Sequence, residues 1–320
     1  MVVSLVVVCG VATGGWLVWR NLGGGGGAGP DAGRSGLEAL KKGTLTAQDV
    51  AKIDPAALFF ASFRATAMQP VMRITEESYT DHGRFQAAKP DYVWESGFDY
   101  RTKQWRLAWG AADQGAPMSV CVDGHAYLYS YRFENWTDRG TGDPMCQTKS
   151  AYRYITDNLS SGGMTAAQAD AWIAHLREEY KGLVNPAAPR LAEVKGRRYL
   201  RQVVDLTPVK RADGLYYGGQ ALMWSFKASG LDPQAHPYSY RGAMNSGYHA
   251  VYYIDPRSLL PAYSEIEQTP GRGPDGGPVA GGGWYKWRVR YHLPGGLPEI
   301  TPGGPPPRPK VDWGIDGGHP

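Results

Sequence analysis

Apolar residues change their spacing several times along this chain, and each change predicts a different element. Leu58, Phe59, Phe63 and Ala67 fall on one stripe at helical spacing. Start signals precede them. Thr46 with Asp49 resembles a capping box for a short helix, and Asp54-Pro55 supplies an N-cap and a first-turn proline for a longer one. At Val71 alternation takes over. "VMRITEESY" reads as a strand, and "DYVWESGFDYRTKQWRLAW" as a hairpin turning near Tyr100 to Lys103, with Trp105, Leu107 and Trp109 on one face. "MSVCVDGHAYLYSY" is a tighter hairpin around Asp123-Gly124, a pair that suits a type I′ turn.

Helical spacing then returns. Residues 149–159 are a short candidate, and Thr165 with Gln168 caps a longer helix. Ala169, Trp172, Ile173, Leu176, Tyr180 and Leu183 form its stripe, most simply a core-facing side. Strands resume over residues 198–207, 221–227, 248–254, 261–268 and 284–292. In the last of these Tyr285, Trp287, Val289 and Tyr291 lie on one side and Lys286, Arg288 and Arg290 on the other, which predicts one covered face and one wet face. Between the strands of "GYHAVYYIDPRSLLPAYSEIEQ", Asp255-Pro256 suits a turn, and Pro261 opens the returning strand where it loses no ladder bond. The pattern amounts to an α+β domain of about ten antiparallel strands with a helix hairpin inserted after the fifth.

The flanks read differently. Residues 2–19, "VVSLVVVCGVATGGWLVW", are almost uninterruptedly apolar and close on Arg20, at the low edge of a membrane span. No Ala-x-Ala-like cleavage site follows, so residues 1–20 are expected to be an uncleaved transmembrane anchor rather than a signal peptide. Cys9 follows three valines, not the small residues of a lipobox, and is read as a membrane-buried thiol. Residues 21–43 form a flexible Gly-rich linker, 44–301 the folded domain, and 302–320 a disordered Pro/Gly-rich tail; 269–283 is a long loop. Arg20 alone would place the bulk of the chain in the cytoplasm. Cys121 and Cys146, the two cysteines of the body, argue for a disulfide in an oxidising compartment against the alternative of two unrelated buried thiols. The cysteine signal is given more weight: a single-pass cell-membrane protein with its bulk extracytoplasmic is the expectation.

Three stretches carry a family resemblance. "CVDGHAYLYS" is similar to a hairpin ending in an aromatic-rich strand, "YYIDPRSLLPAYSEIE" to a strand–Asp–turn–Leu-Pro–strand signature, and "WRVRYHLPGGLPEITP" to a closing strand with a proline-containing exit. With the element order, they resemble the LolA/LppX-like superfamily of extracytoplasmic half-barrels, which includes lipoprotein carriers and RseB-like sensors. The resemblance implies a strongly curved antiparallel sheet, a half-barrel, with helices covering its concave side. The poor lipobox, the long helical insertion and the 269–283 loop depart from the family pattern.

The chemistry adds little to this. The seven histidines are scattered without HExxH spacing, no CxxC pair occurs, and the Gly-rich segments lack a following Lys-Ser/Thr, so no catalytic residue, metal site or cofactor is predicted. Glu265 and Glu267 share a strand face, which is read as solvated. The net charge of +4 is dispersed and gives no footprint for nucleic acid. What stands out is 20 Tyr, 11 Trp and 7 Phe, a composition suited to pleated, half-buried surfaces. Trp94, Trp105, Trp109, Trp224, Tyr252, Tyr285 and Trp287 fall on predicted strands and are the candidate ligand-binding residues, as an apolar trough or as ordinary core. Two functions follow: a non-enzymatic, membrane-anchored binding protein for a lipid, lipoprotein or other apolar ligand, or an extracytoplasmic sensor that binds a protein partner, such as a membrane protein. A hydrolase would need a nucleophile–base pair, and none is visible.

Overall fold

A computed structural model of the chain describes residues 36–41, 44–79, 90–111, 118–122, 124–130, 132–143, 146, 161–232, 235–236, 246–270 and 285–297. The expected anchor over residues 1–20, the helix candidate at 149–159, most of the 269–283 loop and the 302–320 tail lie outside them. No helix among the described residues is long and apolar enough to cross a membrane.

Packing begins earlier than residue 44. A 3-10 turn at Leu37–Lys41 sends Leu37 and Leu40 into the core. Gly36, at φ +68, starts it, and a Cβ there would run into the carbonyl of Lys52. The glycine-rich composition around this turn hides it in the sequence. Next come α1 (Ala47–Val50) and α2 (Pro55–Ala67). Both caps form as the sequence predicts: Thr46 and Asp49 bond reciprocally at 3.1 and 3.2 Å, and Asp54 Oδ1 accepts the Ala57 N–H at 2.7 Å. A second capping box at Thr165 and Gln168 starts α3 (Ala166–Glu179), and every residue of its predicted stripe is buried.

The strands before α3 are β1 (Val71–Tyr79), β2 (Tyr92–Asp99), β3 (Gln104–Ala111), β4 (Met118–Val122), β5 (His125–Ser130) and β6 (Asn135–Thr141). After α3 come β7 (Val184–Pro186), β8 (Arg190–Val194), β9 (Arg197–Leu206), β10 (Val209–Arg211), β11 (Gly214–Tyr216), the helix α4 (Gly218–Ala228), β12 (Ser246–Ile254), β13 (Pro261–Pro270) and β14 (Tyr285–Tyr291). Twelve strands join one antiparallel sheet in the order β6-β5-β4-β3-β2-β1-β14-β13-β12-β9-β7, with β8 also on β9, while β10 and β11 pair alone. The chain lays down a meander from β1 to β6, leaves the sheet for α3, and returns so that its last strand zips against its first: Ile74 faces Tyr291 and Glu76 faces Val289.

Two expectations are corrected. Residues 221–227 are not a strand but most of α4, and the helix insertion follows β6 rather than the fifth strand. A mostly apolar stretch as short as "ALMWSFK" cannot be assigned to strand or helix by periodicity alone, and Tyr217 caps α4 without a side-chain bond that would announce a start. The sixth strand escapes notice because "NWTDRGT" has no alternation; it lies mostly exposed and is held by backbone pairing to β5. By contrast the Asp255-Pro256 corner is confirmed. Asp255 Oδ1 accepts the N–H groups of Arg257 and Ser258, both at 2.9 Å, and Pro261 opens β13 as expected.

Helices α2, α3 and α4 form a second layer against one side of the sheet. Trp172 of α3 lies between Phe63 of α2 and Phe226 of α4, with ring centroids 4.7 and 5.1 Å away. The core that holds this layer takes Leu200, Val204 and Leu206 from β9, Tyr248, Ala250, Tyr252 and Ile254 from β12, Ile266 from β13, Trp287, Val289 and Tyr291 from β14, and Ile74 from β1. A separate cluster of Met72, Phe98, Trp105 and Cys121 carries the apolar packing on towards β4. Cys146 packs against it and is disulfide-bonded to Cys121, the Cα atoms 5.4 Å apart, so the bridge expected from the sequence is made.

Candidate functional site

Strand register sorts every sheet residue onto one of two faces. Starting from the core residue Val289, the row across the helix-facing side runs Gln202, Tyr252, Ser264, Val289, Glu76, Trp94, Trp109, from β9 to β3. The next row runs Val204, Ala250, Ile266, Trp287, Ser78, Tyr92, Ala111. Six of the seven aromatic candidates therefore occupy positions of this one face, as the alternation of their strands demands.

They do not gather into one small pocket. Trp287 stacks between Tyr285 and Tyr248, at centroid distances of 5.9 and 6.5 Å, within the helix-bearing core. Tyr252 is buried there too, and Trp105 belongs to the disulfide cluster. The positions of Trp94 and Trp109 are direct cross-strand partners. Tyr252 and Trp109 are five strand spacings apart, about 24 Å. Trp224 is the exception. It stands on α4, 52% exposed, with Lys227 Nζ 5.7 Å from its ring centroid, so its assignment to a strand is corrected with that of its segment.

The helix-facing side also carries polar residues that the aromatic pattern does not point to. Glu76 and Ser96 are each only 2% exposed, and Ser78 is buried beside them in sequence phase. The signal was in the alternation: once Met72 and Ile74 face inward, Glu76 and Ser78 must as well. Elsewhere on this face Tyr248 donates to Gln268 Oε1 at 3.1 Å, and the hydroxyls of Ser264 and Tyr291 lie 3.0 Å apart.

The opposite face is charged but not uniformly wet. Lys286 is buried and pairs with Glu265 at 2.7 Å, which Arg288 also reaches at 3.2 Å. Burial pushes the Glu265 carboxyl up, but the two cations outweigh it and hold it below the ordinary carboxylate range. Glu265 is thus locked as an ion-pair partner and is poorly suited to donate a proton. Arg73 with Glu95 and His249 with Asp205 continue the paired charges at 2.8 and 2.7 Å. Among the described residues no group of three or more His, Cys, Asp or Glu side chains could hold a metal ion.

His292 directly follows β14. Its Nε2 lies 2.8 Å from Thr75 Oγ1, and burial, helped by Arg73 and Arg290, lowers its pKa to about 4. A histidine depressed in the folded state contributes stability that is complete above its unfolded value near 6.5 and is lost as pH falls towards 4. Urea midpoints measured across that window are therefore expected to fall with pH in the parent chain and to flatten in His292→Gln. An unchanged slope in the variant would remove His292 as the cause.

No family model matches the chain, and no curated protein matches it. Solved structures do. The lipoprotein LppX of Mycobacterium tuberculosis aligns over 74% of this chain and 94% of its own at 10% identity, with a TM-score of 0.33. A LolA superfamily protein from Nitrosomonas europaea aligns over 78% and 92% at 8% identity, TM-score 0.20. A chain of the MucA/MucB complex of Pseudomonas aeruginosa aligns over 73% and 55% at 11% identity, TM-score 0.28. These belong to the group that the three sequence stretches resemble. At such scores they carry no argument about function, which has to come from the residues themselves.

Proposed function

We propose that this chain binds a lipid or another apolar ligand, without enzymatic chemistry, on the helix-facing side of its sheet. One observation carries the reading. The row of positions that includes Tyr252 continues past the helix-bearing core to Trp94 and Trp109, while that core takes no described residue from β2 or β3. A sheet face rich in aromatic positions beyond its helical cover offers a hydrocarbon chain a place to leave water, at about 0.8 kcal/mol per methylene. The Cys121–Cys146 bridge supports an oxidising compartment, and the apolar run at residues 2–19 supports a membrane tether.

A second reading, a sensor that binds a protein partner, is favoured by the two large hydrophobic side chains exposed among the described residues, Phe133 at 69% and Trp224 at 52%. Native mass spectrometry after organic extraction separates the two. The lipid reading expects co-purifying lipid that falls several-fold in Trp94→Ala/Trp109→Ala and stays unchanged in Trp224→Ala. A lipid-free chain whose partner binding depends on Phe133 or Trp224 would replace it with the second.

A further inference from the structure

We propose that the outer face of α4, centred on Trp224 and Lys227, docks the domain onto an anionic bilayer surface. The proposal rests on the membrane tether argued above and adds which part of the domain meets the lipid. Helix α4 turns Ala221, Leu222, Ser225 and Phe226 into the core. Its opposite side leaves Trp224 52% exposed. Lys227 stands beside it, with Nζ 5.7 Å from the ring centroid. An indole next to an ammonium group suits the head-group layer of a membrane. The ring is apolar on its faces and polar at its N–H, and the cation meets lipid phosphate.

Charge favours lipid over a protein partner. Residues 218–228 of α4 include no Asp or Glu. On the neighbouring α3, Asp170 is the only charged residue of the stretch 166–174. Arg64 Nε and Nη2 hold it at 2.6 and 3.1 Å, so its charge is matched. Lys227 is left as the net charge of the face, which suits an anionic surface. A protein interface would be met by several hydrogen-bonding groups. Beside Lys227 the exposed residues of α4 are Trp224 and Ala228, which offer only the indole N–H. The length of the tether points the same way. Leu37 and Leu40 fix the start of the domain in the core, so with residues 2–19 in the bilayer only residues 21–36 separate the two. A Gly-rich chain of about 15 residues spans about 20 Å on average. That is close to the radius of gyration of a domain of this size, about 18 Å. The domain is thereby held against the surface at a millimolar effective concentration, at which an anchor as small as one ring and one cation is sufficient.

The test uses the full chain reconstituted into phosphatidylcholine liposomes with or without phosphatidylglycerol. Cys9→Ser removes the remaining thiol, and one NBD fluorophore is attached at Ala228→Cys, an exposed position one turn from Trp224. A comparison chain carries it at Ala188→Cys, exposed between β7 and β8. With phosphatidylglycerol the label at 228 is expected to brighten and shift to the blue, and the label at 188 to stay as in water. Lys227→Gln should lower the docked-to-free ratio about fivefold, the worth of one cation at an anionic surface, and added salt should act likewise. Trp224→Ser should abolish the response. Both side chains are exposed, so these variants are expected to melt with the parent. A label at 228 that stays water-like, or that responds equally in Trp224→Ser, would overturn the docking face. A response seen only in vesicles made from host membranes, and not in pure lipid, would overturn it too and give the face to a protein partner. Flotation of the same samples tests the tether separately. A chain that does not float with the liposomes removes the tether and the docking with it, while a floating chain with a silent label removes the docking alone.

Discussion

Trp172→Ala is expected to cost about 4 kcal/mol of stability, the scale for emptying a buried tryptophan site. The residue is completely buried and joins the three covering helices, between Phe63 of α2 and Phe226 of α4. Its indole N–H donates to Ser225 Oγ at 2.8 Å, and Ser225 passes the bond on to the Leu222 carbonyl at 2.8 Å. Truncation opens a void that three helix backbones would have to close together, and rigid helices collapse poorly. For a domain of this size the loss corresponds to a melting point lower by about 10 °C. Trp172→Phe is the milder test. It keeps a ring against both neighbours but loses the donor to Ser225 and part of the ring volume, so about 2 kcal/mol is expected. Differential scanning calorimetry of both variants decides the matter. A Trp172→Ala chain melting within about 2 °C of the parent would show that the helices are held by something else.

The same residue shows how far the sequence could be read. Trp172 was recognisable because its helix announces itself at both levels: a capping box at Thr165 and six apolar residues at helical spacing, all buried. Its partner helix was not. Leu222 and Phe226 are four apart and both buried, as are Ala221 and Ser225, so α4 also has a helical stripe. But the run is short, aromatic and uncapped, and strand-like composition prevailed over a weak period. Among the strands, hairpins built on alternation are legible to within a residue or two, while β7, β10 and β11 are three residues each, β8 is five, and β6 has no alternation; all five are held by backbone pairing to β5, β9 or each other rather than by a readable period. Asp213-Gly214, where β11 begins, is a turn signal in the sequence for the small β10–β11 hairpin.

At the candidate site the limit was of another kind. The aromatic positions stand out in composition, and register places six of seven on one face. Glu76 and Ser96 do not, because polar residues ordinarily belong on the wet side. Yet in "VMRITEESY" the phase set by Met72 and Ile74 leaves no choice for Glu76. Where alternation and polarity disagree, phase governs, and the disagreement itself marks a position whose burial needs a reason.

Removing the disulfide with Cys121→Ala/Cys146→Ala is expected to cost about 3–4 kcal/mol, the loop-closure value for a link of this length. The cysteines are 25 residues apart, and the segment between them contains β5 and β6, the last two strands at one end of the sheet. Among the described residues that end is otherwise held by the β4–β5–β6 ladders and by contacts such as Tyr129 on Trp136. Strand β6 is mostly exposed, and the local core is the small cluster of Met72, Phe98 and Trp105 around Cys121 itself. Without the bridge the unfolded chain regains the freedom of this loop, and the folded chain loses a fixed anchor next to the proposed binding face. A melting point lower by about 10 °C is expected, and a reductant should bring the parent down to the level of the double variant while leaving that variant unmoved. A parent chain whose thiols are fully reduced yet whose melting point is unaltered would show that the bridge is incidental to the sheet. The argument reaches location as well. A domain that depends on this bridge is at a disadvantage wherever thiols are kept reduced. Alkylation of intact cells before lysis is therefore expected to leave Cys121 and Cys146 unlabelled, and labelling of both would withdraw the proposal that the domain works outside the cytoplasm.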